Sequence, residues 1–147
     1  MSDTASAVAT DADVAPRLRL GVMRLARRLR QQSAGDITAS MLSALSTIDH
    51  RGPMTLGGLA GFERVAPPSM TRIVARLEEN GLVIRQVDAA DRRVARVSVS
   101  PAGRKLLEQN RTRKDAYLAA KVRNLSADDR ALLQAALPVL ERLVDEE

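Results

Sequence analysis

Apolar residues return at helical spacing through most of the chain, and one stretch in the middle alternates instead. Leu18, Val22, Leu25 and Leu29 form a seam of helical period, with Met23 and Ala26 beside it, so a first helix is expected from about Pro16 to Gln32. Met41, Leu42, Leu45 and Ile48 give the inward face of a second helix, about Ala39 to His50, capped by Asp36 or Thr38. Gly52-Pro53 interrupts the pattern. Thr55 then caps a short third helix to about Phe62, with Leu56, Leu59, Ala60 and Phe62 as its expected buried set. Gly57, Gly58 and Gly61 each cost a helix ~1 kcal/mol against Ala, so they either allow close packing or leave this element soft. Pro67 and Pro68 open a fourth helix, where a missing N–H does no harm. Met70, Ile73, Val74 and Leu77 are its apolar face, and Gly81 is its stop.

The alternating stretch follows. Leu82 to Gln86 is one apolar, β-branched run; Val94 to Ser100 is another, in which Ala95, Val97 and Val99 alternate with Arg96 and Ser98. The connection Val87 to Arg93 is too long for a two-residue turn, so the hairpin has a projecting tip that carries Arg92 and Arg93. Ser100 and Pro101 start a long helix to about Arg123, with a weak stripe of Leu106, Leu107, Asn110, Tyr117, Leu118 and Val122. Ser126 to Asp129 resembles a capping box before a last helix. That helix has two adjoining seams, Leu133, Leu137, Leu140 and Val144 beside Leu132, Ala136, Val139 and Leu143, and Pro138 is expected to kink it. Residues 1–14 are Ala, Ser, Thr and Asp without periodicity and read as a disordered tail.

Two surfaces are left over once the apolar faces are turned inward. On the fourth helix Ser69, Thr71, Arg72 and Arg76 point away from the core, the residue types that bond base edges and phosphates in a major groove. Arg76 has Glu78 and Glu79 close by in sequence, either of which can neutralise it. The hairpin tip is a basic wing. Helix, strand, wing and strand make the second half of a winged helix-turn-helix, in a fold that is mostly α with a small β-hairpin.

Charge sharpens this. The 147 residues carry a formal +5, unevenly distributed. From Arg64 to Lys105 nine basic residues face four acids, whereas from Ser126 onward six acids face Arg130 and Arg142. A basic middle and an acidic end point to a polyanion-facing surface on one part of the fold. The first helix carries Arg17, Arg19, Arg24, Arg27, Arg28 and Arg30, either a solvated basic face or a phosphate-binding one.

The run DRRVARVSVSPAG, Asp91 to Gly103, resembles the wing signature of the MarR family of bacterial regulators, and MTRIVARLEENGLV, Met70 to Val83, resembles its recognition helix and following strand. Val99-Ser100-Pro101 stands where the family usually has Leu-Thr, a change that keeps a helix-capping hydroxyl. The resemblance spans residues 16–147. It implies a single domain over 15–147, with 38–100 as the winged helix-turn-helix and 15–34 and 101–147 as dimerisation helices. It places DNA contacts at Ser69, Thr71, Arg72 and Arg76 and at the wing residues Asp91, Arg92 and Arg93, with the wing Arg entering the minor groove and the Asp orienting it. Arg93 fits that role better than Arg92, because the motif sets its Arg two residues after the Asp. A homodimer on double-stranded DNA follows, with Leu18, Val22, Leu25, Leu133, Leu137, Leu140 and Val144 at the interface. Family members often release DNA when a small, anionic or aromatic effector binds, and Met23, Arg27, Leu45, His50 and Tyr117 are the residues expected to line such a cleft.

The expected function is thus a dimeric, sequence-specific DNA-binding repressor on a near-palindromic operator. The alternative is a ligand-insensitive winged-helix module for protein contacts or nonspecific DNA compaction. An enzyme has no support, since no nucleophile–base pair or phosphate loop is present and Gly52 to Gly61 lacks the P-loop spacing and Lys. There is no cysteine, and the one histidine, His50, has no second ligand nearby in sequence, so neither a metal nor a cofactor is expected. No secretory signal or apolar run of ~18 residues is seen, so a cytoplasmic protein with no membrane partner is expected.

Overall fold

The computed structural model describes residues 10–33 and 35–145. Six helices and a three-stranded sheet follow in the order α1 (Asp11–Arg30), α2 (Ala39–Arg51), β1 (Met54–Thr55), α3 (Leu56–Glu63), α4 (Pro67–Glu79), β2 (Val83–Val87), β3 (Ala95–Val99), α5 (Pro101–Arg123) and α6 (Ala127–Asp145). The expected fold class is met.

α1 begins earlier than its hydrophobic period indicates. Residues 11–14, expected in the tail, are helical, and Pro16 lies inside the helix rather than at its start. The cause is local: the Asp13 carboxylate accepts the Thr10 backbone N–H at 3.2 Å and the Thr10 hydroxyl at 2.6 Å, fixing the helix entry a full turn before Pro16. The rest of the expected tail, residues 1–9, lies outside the described residues.

The core joins one face of each element between α2 and the first half of α5. Met41, Ala44, Leu45 and Ile48 of α2 meet Leu59 and Ala60 of α3, Met70, Val74 and Leu77 of α4, Val83, Val97 and Val99 of the sheet, and Leu107 of α5. Each fully buried side chain of this size contributes about 1.5–3 kcal/mol. Phe62, expected in that set, is not in it: it is half exposed, and the Arg51 guanidinium stacks 3.8 Å from its ring centroid. Arg51 supplies a partner that keeps this large ring at the surface.

β1 is an element the sequence did not indicate. Its two residues pair with β3 in the register Met54↔Val97 and Thr55↔Arg96, while β2 pairs with the other edge, Val83↔Val99 through Val87↔Ala95. β3 is therefore central, and the hairpin is stitched to the turn before α3. At the other end of β3, Ser100 caps α5 by accepting the Gly103 N–H at 3.0 Å while its hydroxyl donates to the Gly81 carbonyl at 2.5 Å. Gly103 is obligatory there, because a Cβ would stand 2.2 Å from the Leu82 carbonyl oxygen and 2.8 Å from Val99. The glycines of α3 differ: a Cβ on Gly57 or Gly61 meets nothing within 4 Å, so close packing does not explain them.

Further pairs tie α2 to its neighbours. The Glu63 carboxylate accepts the hydroxyls of Ser43 and Thr47, and Asp49 faces Arg104 at 3.8 Å and Arg111 at 3.4 Å.

Candidate nucleic-acid interface

α4 is built to expose one face. Pro67 and Pro68 occupy its first turn, Gly81 at φ 70° ends it, and the Leu82 N–H returns to the Leu77 carbonyl at 2.9 Å, closing the last turn. With Met70, Val74 and Leu77 buried, Ser69, Thr71, Arg72 and Arg76 are all exposed. The Thr71 hydroxyl donates to the Pro67 carbonyl at 3.0 Å, so its oxygen remains free as an acceptor. A phosphate offers only acceptors, so Thr71 suits an amino group on a base edge better than the DNA backbone. Glu78 does not neutralise Arg76; it takes the Arg85 Nε–H at 3.1 Å, bracing the end of α4 against β2.

Two aspartates shape the wing. Asp88 accepts the backbone N–H groups of Ala90 at 2.8 Å and Asp91 at 3.3 Å, and the Val94 N–H bonds the Asp91 carbonyl at 3.0 Å. Asp91 then grips Arg93, taking its Nε–H at 3.0 Å, its Nη2–H at 3.2 Å and its backbone N–H at 3.1 Å. The Arg93 side-chain bond, followed by the backbone one, holds the Asp91 carboxyl below its ordinary value. Arg93 remains 90% exposed despite this grip, an aimed cation rather than a buried one. Arg92 is exposed as well, without such a brace. At the base of the wing Arg93 and Arg85 line a cleft of about 430 Å³ with Thr55, Leu56 and Gly57 at the start of α3.

One residue of this region was missed. Arg64, in the turn between α3 and α4, has φ 54°, the only positive φ among described non-glycine residues. It ends α3 as glycine usually does, its N–H meeting the Gly61 carbonyl at 3.3 Å and the Val65 N–H reaching Ala60 at 3.0 Å. A Cβ in that conformation costs roughly 1–2 kcal/mol. The only sequence signal is a missing one: no glycine follows α3.

The five residues expected around an effector are not gathered together. Leu45 is fully buried in the core and cannot line a cleft; its spacing is that of a core position, and it packs as one. Met23 is exposed on α1, His50 is exposed with Nδ1 2.9 Å from the Ser46 carbonyl, Arg27 lies in an arginine-lined groove on α1, and Tyr117 sits under Lys121. A different cleft of about 370 Å³ lies where α1, α2 and α5 meet, lined among others by Arg30, Ser33, Leu42, Ser46, Thr47 and Lys114.

The end helices carry the remaining apolar surface. No described residue of α1 or α6 is buried. Leu18, Val22, Leu25, Leu133, Leu137 and Val144 are each more than a third exposed, and Leu140 is intermediate.

The family model described as MarR matches residues 37–95, α2 through the start of β3. An HTH-type transcriptional regulator of Mycobacterium leprae is 41% identical over 138 residues, covering 93% of this chain and 96% of the relative. A crystal structure of a transcriptional regulator protein from Pseudomonas aeruginosa superposes with a TM-score of 0.83 at 35% identity, over 95% of this chain and 100% of that one. A MepR mutant from S. aureus bound to an oligodeoxyribonucleotide shares the fold, with a TM-score of 0.69 at 21% identity over 89% and 97% of the two chains. These relatives are regulators rather than enzymes. With that model matched from α2 to β3 and a regulator 41% identical over nearly the whole length, the chain belongs to the MarR family of helix-turn-helix transcriptional regulators.

Proposed function

We propose that the protein is a homodimeric repressor that binds a near-palindromic operator, placing α4 of each protomer in the major groove and each wing in the flanking minor groove. The observation that carries this reading is the pair of prepared surfaces: the open Ser69, Thr71, Arg72 and Arg76 face of α4, and Arg93 aimed by Asp91. Arg72 is assigned to a base edge and Arg93 to the narrow groove, where width matters more than sequence. The exposed seams of α1 and α6 supply the two-fold interface, which sets the half-sites about one helical turn apart. The test is selection of bound fragments from the source genome, followed by footprinting. A symmetric site protected in two successive major grooves supports the reading. Equal affinity for random duplex and every selected fragment favours the compaction module instead.

The cleft at the meeting of α1, α2 and α5 favours effector release as a second element of this function. Arg30 and Lys114 supply positive charge over a floor of hydroxyls and Leu42, which suits a small amphipathic anion. It adjoins both the unburied α1 and the reading head, so an occupant could shift one against the other. Titration of the protein–operator complex with salicylate-like carboxylates, against Lys114→Ala, tests this. Release that is equally efficient in the variant assigns the effector elsewhere.

A further inference from the structure

We propose that Arg64 is a DNA-backbone contact, held in a left-handed turn so that its guanidinium reaches a phosphate beside the recognition helix. The inference rests on the operator-binding reading above and adds a residue that neither the helix motif nor the wing motif contains. Three observations converge on it. The position ends α3 in a conformation that glycine adopts freely, yet an arginine occupies it at φ 54°. Strain of this kind persists where the surrounding structure over-determines it, and it collects at functional sites.

The side chain has nothing to do inside the fold. Arg64 is exposed, and no ion pair engages it among the described residues. Its neighbour Glu63 is already taken by the hydroxyls of Ser43 and Thr47. The charge is therefore free for an external anion. Its location names the anion: only Val65 and Ala66 separate it from the start of α4, and the supporting side of a helix-turn-helix crosses the phosphate backbone when the recognition helix enters the groove. A planar guanidinium suits a phosphate, and arginine keeps its charge at any physiological pH.

Strain and binding can be separated experimentally. Arg64→Gly relieves the backbone, so its melting temperature should hold or rise, while affinity for a selected genomic fragment falls roughly tenfold. Arg64→Asn, which tolerates the left-handed region, should lose affinity equally; Arg64→Lys should keep most of it. Because the contact is to phosphate, both neutral variants should weaken binding to a random-sequence duplex too. The slope of log affinity against log salt should become shallower by about 0.9 per protomer. Unchanged affinity and slope in Arg64→Gly overturn the inference, as does a fall in its melting temperature, which would mean the side chain serves the fold. Arg72→Ala is measured in parallel. If it loses fragment preference while the Arg64 variants are silent, this inference alone fails; if wild-type protein shows no fragment preference, the operator reading fails with it.

Discussion

Asp91 holds Arg93 at three points with one carboxylate, two on the guanidinium and one on the backbone N–H. Removing Asp91 therefore has two opposed effects at a DNA surface. Electrostatics alone would raise affinity, because a negative charge beside phosphates disappears. Loss of the brace frees the arginine and lowers it. We expect the second to win: Asp91→Ala should bind the operator several-fold more weakly, and tighter binding in a direct titration would sink this account of the wing. The pH dependence has a definite sign. The carboxyl is lowered from its ordinary 3.8, so the brace is intact above that value and is lost only as pH falls through the lowered one. The wild-type advantage over Asp91→Ala should thus be flat from neutral pH into mild acid.

Arg72 and Arg93 should fail differently. Arg72→Ala should cost roughly 1–3 kcal/mol per half-site and relax preference at particular core base pairs, as for a bidentate contact with guanine. Arg93→Ala should leave core preference intact, remove preference for A·T-rich flanks and flatten the salt slope by about one phosphate. Operators with altered cores and altered flanks, titrated at several salt concentrations, distinguish the two. The opposite pattern would mean that helix and wing are wrongly assigned.

Charged residues at Leu137 and Leu140 should abolish the proposed dimer. These side chains lie on α6, where no described residue is buried, so the isolated protomer tolerates the change while a two-fold interface does not. Sedimentation should show a folded monomer with sharply reduced operator affinity. Full affinity in that monomer would contradict the dimer.

The glycines should divide by their surroundings. Gly103→Ala drives a methyl into the Leu82 carbonyl and should destabilise by about 1–3 kcal/mol or more. Gly57→Ala and Gly61→Ala meet open space and should each stabilise by roughly 0.5–1 kcal/mol. Denaturant titrations of the three variants check both signs. A stabilising variant that nonetheless loses DNA affinity would locate the DNA backbone close to α3.

What could be read from residues alone follows from how local each cause is. α4 carries its start, its stop and its apolar spacing locally, in Pro67-Pro68, Gly81 and Met70 to Leu77, and α5 has Ser100 and Pro101 at its start, so both were expected close to where they stand. The start of α1 was misplaced because Asp11 to Ala15 continues the seam with Val14 alone; the Thr10–Asp13 bond that fixes it is a polar signal too short to outweigh composition. β1 has only two residues and exists through its partner β3, which lies far along the chain. Phe62 was put inside because an aromatic at helical spacing ordinarily is; a single stacked arginine from α2 reverses that. Leu45 could not be told from a cleft residue by type, since both line apolar surfaces. The wing residues were legible from their motif, but the three-point grip of Asp91 was not.

The unburied state of α1 and α6 also sets an order of events during synthesis. Among the described residues every buried apolar one lies between Met41 and Leu107, so the reading head can close soon after that stretch leaves the ribosome. α1 precedes that stretch and α6 follows it, so in the proposed dimer the apolar face of α1 stays uncovered until α6 is made and a second protomer docks. On that reading the arginines that crowd α1 would act before the partner protomer arrives, their mutual repulsion holding neighbouring nascent chains apart while that face is bare.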